Sequence, residues 1–269
     1  MKSLLRVSTL AASGLFLFVS TGLASLVVWD MTDEWQYPGN SPADAPTPQT
    51  HPPAIVPTGV SASDFTRGPG LTATRLHHGF SASGWNNSAG GPSTLSSAMA
   101  DGNWFEVSFT VDPGYELSFL SLDYRTRRSA TADGRTAEQV WQYSFDGFDT
   151  VAGSFGQFSM APGTGTGNGI TLPTVDLSGI IDLQNLVGGS TVTMRLYAHD
   201  SENPASATTG GNTFGFGRAS NTSGVTVDPD LPEGGPVFEV AIIPEPGTYA
   251  LFAGLVVLSG VFFLRRHRS

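Results

Sequence analysis

Residues 104–125 read "WFEVSFTVDPGYELSFLSLDYR", and the fold class turns on them. In the first eight, Phe105, Val107, Phe109 and Val111 alternate with Glu106, Ser108 and Thr110. A period of two puts successive side chains on opposite faces, so this is a strand with one face buried and one wet. Asp112-Pro113-Gly114-Tyr115 then supplies a tight turn, in which proline sets φ and glycine accepts a positive φ. The second run resumes the alternation, but its apolar phase slips between Phe119 and Leu120. A slip of one residue would turn every later side chain to the wrong face, so the pattern predicts a β-bulge there.

The same period recurs outward from this hairpin. "EQVWQYSF" (138–145) puts Trp141, Tyr143 and Phe145 on one face, and "TVTMRLYA" (191–198) does so for Val192, Met194, Leu196 and Ala198. "NTFGFGR" (212–218), "SGVTV" (223–227) and "VFEVAII" (237–243) add further strands, while "LSGIIDLQNLV" (177–187) reads as a short helix or turn. Trp104 and Trp141 sit in patterned strands and are expected in the core. At least seven short strands joined by Gly/Ser/Asn loops predict an all-β chain, an antiparallel β-sandwich with a jelly-roll-like strand order. The composition agrees: 33 Gly and 18 Pro with only 13% charged residues suit turns and short strands better than long helices. Residues 36–58, "QYPGNSPADAPTPQTHPPAIVPT", hold seven prolines and read as a polyproline-like loop insert that spaces rather than packs.

Charge excludes some functions. The net charge is −10, and residues 25–243 carry 22 acids against 8 arginines and no lysine. Such a body repels phosphate backbones, which argues against nucleic acid, and suits an anionic lipid surface poorly. The chain has no cysteine, so disulfides, thiolate metal sites and cysteine nucleophiles are excluded.

The two ends carry an address. "MKSLLRVSTLAASGLFLFVSTGLAS" opens with Lys2 and Arg6, continues through an apolar stretch from Leu10 to Val19, and ends in small residues. This is a secretory signal peptide, residues 1–24, cut by signal peptidase between Ala24 and Ser25. At the other end Thr248 to Leu264 is a charge-free run of about 26 Å as a helix, followed at once by Arg265, Arg266 and Arg268. A single transmembrane helix over 248–264 with a cytoplasmic basic tail, 265–269, follows from the positive-inside rule. Between body and helix stands Pro244-Glu245-Pro246. Proline has no N–H, so the triplet is expected to be extended and unpaired. It would serve as a strand-to-helix linker or as a segment open to a proteolytic cleft, and the residues suit both equally.

Residues 244–268, with the signal peptide, resemble the PEP-CTERM sorting signal of Gram-negative bacteria. The resemblance implies an exosortase, a membrane-embedded cysteine protease-like sorting enzyme, as partner. Pro244, Glu245 and Pro246 would be its recognition element and Arg265, Arg266 and Arg268 the stop signal. It further implies passage from the inner membrane to the cell surface or extracellular matrix, often in bacteria making exopolysaccharide. The body, 25–243, is similar to β-sandwich ectodomains that precede this signal, through "FTVDPGYELS", "YSFDGF" and "FGFGRA". No activity attaches to that likeness.

No catalytic constellation stands out, and the chain is read as a non-enzyme with no cofactor and no metal. "YAHDSEN" brings His199, Asp200 and Ser201 together, but neighbours on a strand point apart and cannot form a catalytic line. His77 and His78 likewise face opposite sides, and Asp228, Asp230 and Glu233 lack the ligand pattern of a calcium loop. The sequons at Asn86 and Asn221 carry no meaning in a bacterial protein. Trp85, in the polar run "SASGWNNSAGG", either folds back over a sheet edge or is the candidate glycan contact, since exposed aromatics stack on sugars. The expectation is therefore a structural or adhesive surface protein processed at its C-terminus. The alternative is a carbohydrate-binding module for exopolysaccharide or environmental glycans, and a secreted hydrolase stands third.

Overall fold

The computed structural model describes residues 23–31, 50–74, 79–85, 94–128, 137–161, 169–200, 214–217 and 235–245. The strands run β1 (Leu23–Val28), β2 (Thr50–His51), β3 (Val60–Ala62), β4 (Phe65–Arg67), β5 (Thr72–Thr74) and β6 (Gly79–Ser83). Helix α1 (Leu95–Asp101) precedes β7 (Trp104–Val111), β8 (Tyr115–Asp123), β9 (Arg125–Arg128), β10 (Ala137–Ser144) and β11 (Gly153–Met160). Then come β12 (Ile170–Thr171), β13 (Val175–Asp176), a 3-10 turn (Ile181–Leu183), β14 (Leu186–Val187), β15 (Thr191–Asp200), β16 (Phe214–Gly217) and β17 (Val237–Pro244). The chain is thus nearly all β, and every recorded strand pair is antiparallel.

Two layers result. One is a seven-stranded sheet ordered β11-β10-β15-β7-β4-β2, with β3 also on β7. The other consists of β1-β17-β8-β13 and β12-β9-β16-β6-β5. These two join at Tyr124, between β8 and β9, where the Leu172 amide donates to the Tyr124 carbonyl across the break. The core between the layers is aromatic. Phe109 meets Phe119 at 5.0 Å and Phe238 at 4.9 Å, and Phe65 meets Phe216 at 5.1 Å. Trp29 touches Phe65, Phe109 and Phe238 edge-on within 6.0 Å. Each such pair adds about 0.5–1.5 kcal/mol beyond the area it buries, which suits a chain that has no disulfide to lean on.

The hairpin behaves as its sequence predicts. Gly114 takes φ 84° and the Tyr115 amide donates to the Asp112 carbonyl. The β8–β17 register shifts between Glu239 and Val240, opposite Ser121 and Phe119, so Leu120 is the bulged residue and Phe119 and Leu122 both stay buried. Val192, Met194, Leu196 and Ala198 are buried on one face of β15. Phe145 departs from expectation: β10 ends at Ser144, so Phe145 lies in the following turn, 42% exposed. Trp104 also departs, since it is half-buried and packs on the outer face beside α1, Val140 and Tyr197. Helix α1 is there because Thr94 and Ser97 cap it reciprocally and Gly102 closes it at φ 75°.

The proline-rich stretch is not wholly a spacer. Thr50–His51 form β2, His51 is buried with its Nε2 2.8 Å from the Asp30 carbonyl, and Ile55 bridges Val28. Edge positions tolerate proline because they need no second ladder bond, so Pro52 and Pro53 can follow a paired segment. Among the described residues no helix is long and apolar enough to cross a membrane. Residues 1–22 and 246–269, which hold most of both expected terminal signals, lie outside the described residues.

Candidate functional site

The geometry most relevant to function lies at one end of the sandwich. Four segments converge there: Gly59, the Asp112–Gly114 turn, Gly188–Ser190, and the close of β17. The Asp112 amide donates to the Gly59 carbonyl (3.0 Å), Val111 to Ser190 (2.9 Å) and Gly189 to Val111 (2.8 Å). Strand β1 starts at this end too, with Leu23 opposite Ile242, so the chain enters and leaves the body at neighbouring points.

The start of the Pro-Glu-Pro triplet is paired, contrary to the expectation of an unpaired segment. Pro244 is the last residue of β17 and lies opposite Tyr115. The Glu245 amide donates to the Gly114 carbonyl over 2.8 Å, and Glu245 Oε1 accepts from the Gly188 amide over 3.4 Å. Amides alternate along a strand, so if Glu245 points its N–H at β8, Pro244 points its nitrogen the other way. On that side β1 begins only opposite Ile242, so the missing N–H of Pro244 costs no bond to a described strand. Glu245 is half-buried in this cradle, and Pro246 lies outside the described residues.

The expected signal-peptidase bond lies inside β1, with Ala24 opposite Ala241 and Ser25 opposite Val240. Arg265, Arg266 and Arg268 lie outside the described residues, as do His77, His78, Asn86, Ser201, Asn221, Asp228, Asp230 and Glu233.

Trp85 does not present a stacking face. It is 5% exposed, its Nε1 donates to the Ala82 carbonyl at 2.8 Å, and its ring packs edge-on against Phe105 (4.9 Å) and Phe214 (5.2 Å). A large apolar ring next to β6 gains more from closing the sheet edge than from facing water, so of the two readings of Trp85 the sheet-edge one holds and the glycan-contact one is corrected. His199 and Asp200 lie in β15 opposite Glu138 and Ala137, successive positions on opposite faces, as their adjacency requires. Among the described residues no group of three His, Asp or Glu side chains could hold a metal ion.

Two polar constellations occupy the outer face of the seven-stranded sheet and its turn. Arg195 pairs with Glu106 at 2.6 Å and lies between the rings of Trp104 (3.9 Å) and Phe148 (4.1 Å). Asp146 accepts from Ser144 Oγ, Thr150 Oγ1 and the Thr150 amide. These bonds, those of Ser144 and Thr150 foremost, hold its carboxyl down to about 2. In each the partners are local: the guanidinium covers one face of both rings, and the turn supplies three hydrogen bonds to the carboxylate. They pin Phe148, which takes φ 72°, rather than offer chemistry.

No protein-family model matches the chain, and no curated protein is significantly similar to it. A solved structure described as "Structural basis for the promiscuous specificity of the carbohydrate-binding modules from the beta-sandwich super family" aligns over 73% of this chain and 84% of its own. It does so at 11% identity and a TM-score of 0.27, too low to bear on strand order or ligand.

Proposed function

We propose that this is an exported surface or extracellular-matrix protein whose body is a β-sandwich and whose tail is a disposable sorting signal, recognised at Pro244-Glu245-Pro246 and removed by an exosortase. The observation that carries the reading is the shared exit: Leu23 pairs with Ile242, two residues before Pro244. The signal peptide and the tail helix thus attach to the body at one end, the first until β1 docks and the second after it. From Glu245 to Thr248 the chain spans at most about 11 Å, so an anchored body would rest with this end at the bilayer. Because the Ala24–Ser25 bond is paired in β1, signal peptidase acts before β1 docks on β17, and the mature strand keeps Ser25–Val28.

The body's role is structural or adhesive. Its strand order supports a jelly roll: β6 and β1, β16/β17, β9/β8 and β12/β13 form one layer, facing β7, β15, β10 and β11 in the other. The carbohydrate-binding alternative loses Trp85 as its contact, since that ring is buried. Replacing Pro244-Glu245-Pro246 by alanines tests the reading. A membrane-retained precursor with an intact C-terminus is expected, and normal trimming and localisation of the variant would refute it.

A further inference from the structure

We infer that the folded body guards its own cut signal: Gly114 and Gly188 form a cradle for Glu245, and the triplet becomes a substrate only when the end of β17 lets go. This rests on the reading of residues 244–246 as the signal. A protease takes its substrate as an added extended strand, pairing with the free backbone groups of that strand. Here the groups facing β8 are already spent, since the Glu245 amide serves Gly114 and its carboxylate accepts from Gly188. Pro244 has no N–H to offer on its other side. The motif in its docked form therefore presents too few donors to be captured, and Glu245 lies half-buried.

The cradle is tight. A Cβ added at Gly188 would meet the Asp112 carbonyl oxygen, Pro113 Cα and Gly114 N at 3.0–3.1 Å, so the 188–190 turn sits directly on the Asp112–Gly114 turn. Next to it, a Cβ at Gly59 would meet Ile242 and Tyr115 at 2.7 Å, so the last residues of β17 are wedged as well as bonded. Release requires loss of the Glu245 bonds and separation of Pro244 from Tyr115. A sandwich that has not closed these turns leaves the signal open, so folding and processing become linked.

The test uses the full-length chain, purified in detergent from cells lacking the processing enzyme and then mixed with membranes that contain it. In the unaltered chain the Glu245 amide should exchange with deuterium at least tenfold more slowly than the same residue in an unstructured peptide. Gly188→Ala, whose methyl pushes the two turns apart, should speed both that exchange and the cut about 2- to 10-fold, the span expected for one weakened hydrogen bond. A second variant acts in the opposite sense and guards against misfolding of the first. Glu116→Cys with Ile243→Cys pairs directly opposed positions in a chain that has no other cysteine. Opposed residues of this kind lie about 5.5 Å apart at Cα, within disulfide reach. Oxidation should slow the cut at least tenfold and reduction restore it. A Glu245 amide as fast as in that peptide, or a cut indifferent to both variants, overturns the cradle. The alanine triplet separates the two ideas: if it is still trimmed while Glu245 of the unaltered chain is protected, the signal reading has failed and the cradle has not.

Discussion

Glu245 and Gly114 are joined by a backbone hydrogen bond of 2.8 Å, and this contact explains how a proline can end a paired strand. Because Glu245 points its amide at β8, Ile243 does so too, and Pro244 between them does not. Ile243→Pro should therefore cost about 1–3 kcal/mol of stability through a lost ladder bond, whereas Pro244→Val should stay within about 0.5 kcal/mol. Urea unfolding of the two variants checks the alternation, and equal losses would contradict it.

Trp85 belongs to the core and behaves accordingly. Trp85→Ala should lower stability by about 3–5 kcal/mol, and Trp85→Phe by clearly less, because the smaller ring still packs on Phe105 and Phe214. Chemical denaturation reads both. A Trp85→Ala protein as stable as the parent would mean that the ring is free after all.

Arg195 ties an ion pair to two rings, and lysine cannot replace its planar fork. Arg195→Lys should destabilise by about 1–2 kcal/mol, the sum of a weakened charged hydrogen bond and lost ring contacts. A double-mutant cycle with Glu106→Gln isolates the pair, and zero coupling would refute its contribution.

Asp146 sets a pH signature. Its folded value of about 2 lies below the ordinary 3.8, so its contribution is whole above about pH 4 and is lost as the pH falls through about 2. The stability gap between parent and Asp146→Asn should therefore be widest at neutral pH and shrink steadily between pH 4 and 2. Urea midpoints at pH 7, 4 and 2.5 measure it, and a gap independent of pH would remove the carboxylate's role.

Much of the architecture is legible in local pattern. The β7–β8 hairpin, its Pro113-Gly114 turn and the bulge at Leu120 follow from alternation and one phase slip, because those rules act between near neighbours. Phe145 was misjudged since alternation does not say where a strand stops. For Trp85 local pattern leaves the sheet-edge and exposed readings open, because its partners, Phe105 and Phe214, are distant in sequence. The cradle for Glu245 was invisible for the same reason: Gly114 and Gly188 read only as turn residues until β17 lies beside β8. Strand order, which brings both chain ends together, is a property of long-range pairing.

The most direct measurement of the central claim is the intact mass of the mature protein from fractionated cells. Export with removal of both ends predicts a product starting at Ser25, ending near Pro246 and lacking residues 248–264, found outside the inner membrane. A product outside the inner membrane whose mass still includes the apolar run and its arginines would contradict it.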